Sequence, residues 1–153
     1  MTPGLRSTHL TQLTGLLDKA LVLGDVPYGA RRILHFTGGR FSGAEFSGEI
    51  LPGGGDWVLR RRDGVAELDI RMTLRTDDGA LIYLSSSGLL EITPDDRARI
   101  ECGEDVDPSR YYFRTQQRFE TGAARWQWLN RLIAVGVGRR TSVGMVTEVY
   151  RVL

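Results

Sequence analysis

From Val65 to Thr76 apolar and polar residues alternate. Leu68, Ile70, Met72 and Leu74 share one parity, and Asp69, Arg71, Thr73 and Arg75 the other. A period of two puts these sets on opposite faces of a strand, whereas a helix needs a period near 3.6. The run meets Thr76-Asp77-Asp78-Gly79, a turn sequence with glycine available for positive φ, and a second strand follows over residues 80–87. The two read as a hairpin. The same reasoning predicts strands over residues 8–17, 31–37, 44–51, 57–62, 111–119, 132–138 and 144–152. Gly38-Gly39, the Pro52–Asp56 segment and Asp63-Gly64 punctuate them. Residues 94–102 read as a short helix, with Thr93 as N-cap, Pro94 at its first position, acidic residues in the first turn and Gly103 at its end. Residues 123–130 read as one or two helical turns or an extended segment.

Short strands at this spacing predict an all-β fold. The expected form is a single antiparallel β-barrel of about nine or ten strands, with one short helix, in which closure removes exposed sheet edges. The chain has 153 residues, 41% hydrophobic and 25% charged, so it fits one domain, 1–153, with one core. There is no signal-peptide pattern and no apolar run of membrane-spanning length. The single cysteine, Cys102, has no internal partner. These features lead to the expectation of a cytoplasmic protein that binds no membrane. The net charge is +1, and all the cations but Lys19 are arginines. Arg60-Arg61-Arg62 forms one dense cluster before a turn and reads as a hairpin edge, with no nucleic-acid-binding motif beside it.

His9 and His35 are isolated, so no metal site is expected. There is no nucleophile elbow, no Walker loop and no dinucleotide fingerprint, and the expected chemistry needs no cofactor. Four constellations remain. Asp69 and Arg71 share one strand face, which is either solvated or lumenal with its charges paired. Tyr112 and Arg114 share a face suited to stacking on a planar or acidic small molecule. Glu49 and Asp56-Trp57 flank the Pro52–Gly55 turn, where an apolar wall raises a carboxylate's pKa. Glu120 and Trp128-Leu129-Asn130 complete the set, with structure as the simpler role for Asn130.

The motifs Gly38-Gly39-Arg40-Phe41-Ser42-Gly43, Gly48 to Trp57, Asp69-Ile70-Arg71, Leu74 to Ala80, Tyr111 to Thr115, Phe119-Glu120-Thr121-Gly122 and Trp128-Leu129-Asn130 span about residues 30 to 140. In order and spacing they resemble the domain of unknown function 3237 family. The resemblance implies a lipocalin-like small-ligand barrel and moves the Asp69–Arg71 face toward the interior. Residues 1–30 and 91–107 match poorly, which leaves substrate identity open if 91–107 covers the mouth.

The leading expectation is therefore a cofactor-free barrel enzyme acting on an apolar or aromatic small molecule, as a cyclase, isomerase or lyase. Its catalytic residues are expected to be Glu49, Asp69, Arg71 and Arg114. Asp56, Trp57, Tyr112, Glu120, Trp128 and Asn130 are expected to bind the substrate. The alternative is a non-catalytic binding barrel. One buried charge pair in an apolar lumen favours binding, and two carboxylates in divergent environments favour catalysis. A third reading is a structural partner subunit, a homo-oligomer contact made through the Leu68–Leu74 face.

Overall fold

The computed structural model describes residues 3–153 and contains ten strands in one antiparallel sheet closed on itself. In chain order they are β1 (Ser7–Leu17), β2 (Leu21–Val26), β3 (Gly29–Ser42), β4 (Gly48–Ile50), β5 (Gly55–Arg60), β6 (Ala66–Thr76), β7 (Leu81–Glu91), β8 (Tyr112–Glu120), β9 (Ala134–Arg140) and β10 (Gly144–Val152). Around the barrel the order is β1, β10, β9, β8, β7, β6, then β4 and β5 sharing one position, then β3, which pairs back onto β1. β2 continues the path of β1 along β3. Ten strands thus occupy eight positions, the number at which side chains just fill a barrel interior. Among the described residues no helix is long and apolar enough to cross a membrane.

The strict alternation of β6 decides which way its charges face. Ala66, Leu68, Ile70, Met72 and Leu74 are each 5% exposed or less and fill the lumen. Glu67, Asp69, Arg71 and Arg75 are consequently on the outside. This corrects the expectation of a lumenal Asp69–Arg71 face. Each buried aliphatic contributes about 1.5–3 kcal/mol, and no single charge pair outweighs four of them. It also removes the oligomer contact expected on the Leu68–Leu74 face, because those side chains are the core.

The two ends of the barrel differ. At one, Phe46 from the β3–β4 loop is fully buried against Phe41, Phe119 and Trp126, with ring centroids 4.6, 5.9 and 5.4 Å away. Trp126 lies in a 3-10 segment, Ala124–Arg131, where residues 123–130 were expected to turn or extend. Its Nε1 donates to Asp78 in the β6–β7 turn at 3.1 Å. Asn130 clamps the same segment: its Oδ1 accepts from Thr121 N at 2.8 Å and its Nδ2 donates to Thr121 O at 2.9 Å.

At the other end α1 (Pro94–Glu101) connects β7 to β8. Thr93 Oγ1 accepts from Asp96 N at 3.1 Å, as its N-cap position predicts. Asp96 is buried and takes Arg110 Nε at 3.1 Å and Arg99 Nη1 at 3.2 Å. The Arg110 guanidinium holds its carboxyl below the ordinary range. These bonds fasten α1 beside the barrel mouth.

Candidate functional site

The mouth leads into a narrow recess with a free volume of about 30 Å³. All eight barrel positions contribute to its lining. Apolar walls come from Leu17, Leu34, Val58, Leu68, Leu90 and Phe113. The polar groups are four: Asp56 and Arg60 from β5, Arg32 from β3 and Arg140 from β9. Asp56, Val58 and Arg60 are alternate residues of one strand, so period two aims all three inward. Gly138 keeps this end of the lumen open to a large side chain. A Cβ there would stand 2.5 Å from the Phe113 ring.

Asp56 is 6% exposed. One carboxyl oxygen accepts from the Asp69 backbone N–H at 3.1 Å. Burial pushes its pKa from 3.8 up to about 7, against the opposing effects of that hydrogen bond and of the Arg140 charge. The result is a carboxyl poised between acid and base at neutral pH. Burial also lowers the Arg140 guanidinium, with the nearby Arg32 charge acting in the same direction. Tyr111 helps place Arg140, its hydroxyl oxygen accepting from the Arg140 backbone N–H at 2.9 Å. Burial raises the Tyr111 phenol. Glu101 of α1 reaches Arg32 at 3.9 Å across the rim.

Of the ten residues singled out in the sequence, Asp56 alone lines this recess. Glu49 is on the outer wall, paired with Arg75 at 2.7 Å. Asp69 and Arg71 face each other outside at 3.7 Å. Tyr112 and Arg114 share the outer face of β8, the guanidinium 5.3 Å from the ring centroid, while Tyr111, Phe113 and Thr115 turn inward. Glu120 is outside on the same parity. Trp57 faces away from Asp56 and meets His35 edge-on at 6.1 Å. Trp128 packs against Trp126 at 6.2 Å, at the closed end, where Asn130 has its clamping role. None of these nine can meet a ligand held beside Asp56. The recess arginines were not assigned to a site because each sits in a run, Arg31-Arg32, Arg60-Arg61-Arg62 or Arg139-Arg140, and a run does not reveal which member points inward. The available signal was the shared parity of Arg60 with Asp56 and Val58.

Fold and recess define an antiparallel β-barrel with one plugged end and one open, charged end. The chain belongs to the family described as "Protein of unknown function (DUF3237)", which it matches over residues 6–152. A UPF0311 protein of Rhodopseudomonas palustris is 35% identical over 153 residues, covering 100% of both chains. The crystal structure of a conserved protein of unknown function from the same species superposes with a TM-score of 0.93 at 34% identity, over 99% of this chain and 100% of that one. The crystal structure of an enzyme from Penicillium herquei shares the fold, with a TM-score of 0.76 at 18% identity, over 100% of this chain and 98% of that one.

Proposed function

We propose that the chain is an enzyme that moves a proton on an apolar or aromatic small molecule held in the barrel lumen. Asp56 is the acid–base group, in place of Glu49 and Asp69, and Arg140 takes the electrostatic role expected of Arg71 and Arg114. The observation that carries this reading is the buried Asp56 carboxyl opening beside Arg140 into a recess walled by all eight barrel positions. In its ionised form Asp56 accepts a proton from carbon adjacent to a carbonyl. The electron pair moves onto the carbonyl oxygen as an enolate, and Arg140 offsets that charge. Returning the proton to another atom of the same molecule gives an isomerisation; attack by the enolate carbon on a second carbonyl within the molecule breaks that C=O π bond, and the alkoxide takes the proton back from Asp56 to complete an aldol cyclisation. Leu34, Val58, Leu68 and Phe113 exclude water from the reacting centre.

The test is deuterium uptake in D₂O next to the carbonyl of an aryl ketone such as 1-indanone, followed by mass spectrometry. The expected result is uptake above the buffer rate that Asp56→Asn lowers by about 100-fold or more. Arg71→Ala is expected to leave uptake unchanged. Uptake that survives Asp56→Asn overturns the assignment.

One observation favours the alternative of a non-catalytic binding barrel: among the described residues Asp56 is the only carboxyl lining the recess, without a second to divide acid and base roles. A ketone retained by the protein with no deuterium uptake supports that reading.

A further inference from the structure

Three guanidinium groups, those of Arg32, Arg60 and Arg140, meet one carboxyl in the recess. Among the described residues, Arg32 and Arg140 each have a buried Nε with no hydrogen-bond partner. Arg151 Nε is the one other buried guanidinium nitrogen without a partner among the described residues, and it lies outside the recess, whereas Arg32 and Arg140 line the same recess. A buried donor left unpaired loses its hydration with nothing in return, so such groups call for a partner such as a water, an ion or a ligand. Burial lowers the Arg60 guanidinium, and the like charges of Arg97 on α1, Arg32 and Arg140 act in the same direction. A second carboxylate, Glu101 at the rim, acts on Arg60 and Arg140 and stands 3.9 Å from Arg32.

We infer that Arg32 and Arg140, supported by Arg60, form an anion subsite that takes the carboxylate of an aryl or alkyl carboxylic acid. The subsite rests on the reading of the lumen as the ligand site. A carboxylate fits because its two oxygens match the planar fork of a guanidinium, while the remainder of an aromatic acid is apolar, like Leu34, Val58, Leu68 and Phe113. Recognition then has two parts, an anionic head on the arginines and an apolar body on the walls.

Benzoate and benzamide provide a matched pair of probes that differ in charge and little in shape. Binding to the full chain is read from the ¹⁵Nε–H signals of the arginines and from the titrated dissociation constants. Benzoate is expected to shift the Arg32 and Arg140 signals and to bind about tenfold more tightly than benzamide. Arg140→Met and Arg32→Met are each expected to remove that preference. Arg140→Lys keeps a cation for the case in which Arg140→Met does not fold, and is expected to weaken the preference. Equal binding of both probes, with signals of lumen residues such as Phe113 shifting, overturns the subsite and leaves the lumen site standing. A benzoate preference that persists in folded Arg32 and Arg140 variants overturns it also. Binding of neither probe overturns both the subsite and the lumen reading.

Discussion

Where β3 ends, the barrel is stoppered by Phe46, which is fully buried among Phe41, Phe119 and Trp126. Where β3 begins, the same strands present Arg32, Asp56, Arg60 and Arg140 to a recess. At the plug the Trp126 indole donates to Asp78 and Asn130 bonds the Thr121 backbone. The mouth leaves polar atoms without partners and holds a carboxyl far from its ordinary pKa. One end therefore supplies stability, and the other gives some of it up to a charged, partly empty site, a division expected where function opposes packing.

The comparison breaks most clearly at the plug. Phe46→Ala removes a fully buried ring and is expected to destabilise the fold by about 3–5 kcal/mol, measured by urea unfolding. An Asp56→Asn change at the mouth is expected to act in the other direction. Between the unfolded value of 3.8 and the folded value of about 7, the native chain keeps a proton on Asp56 that the unfolded chain has released. Stability from this group therefore falls as pH rises through that window and levels off above it. The shift of roughly three pKa units corresponds to about 4 kcal/mol. Asp56→Asn is expected to cancel this slope and to leave the variant more stable than wild type at pH 8. The difference between the two stability–pH curves checks it, since carboxylates held low by arginine, such as Asp96, titrate alike in both proteins. The smallest effect is expected on the outer wall. Asp69→Ala and Arg71→Ala disrupt an exposed pair at 3.7 Å and should each change stability by less than about 0.5 kcal/mol.

Strand position was easiest to read where one parity was wholly apolar. β6 was expected over residues 65–76 and runs Ala66–Thr76, because four lumenal aliphatics alternate with charges. α1 was also legible, since Thr93 and Pro94 specify its start locally. β2 was not anticipated. Leu21, Val22 and Leu23 run consecutively and all three are exposed, so no alternation marks the strand. The 44–51 strand shortened to β4 because Phe46 leaves the wall to fill the plug.

By itself the sequence determined the β architecture, since period-two patterning and turn chemistry act over a few residues. It also pointed to the Pro52–Gly55 turn, flanked by Glu49 and Asp56, while giving the proton-transfer role to Glu49 and Asp69 and only a binding role to Asp56. The tertiary structure alone decided which face of each strand became the lumen. Barrel closure brings β3, β5 and β9 around a common mouth and selects one arginine from each of three arginine runs. Burial is a property of the closed wall, so the raised pKa of Asp56 and the unpartnered Nε atoms of Arg32 and Arg140 arise only when all eight positions are in place.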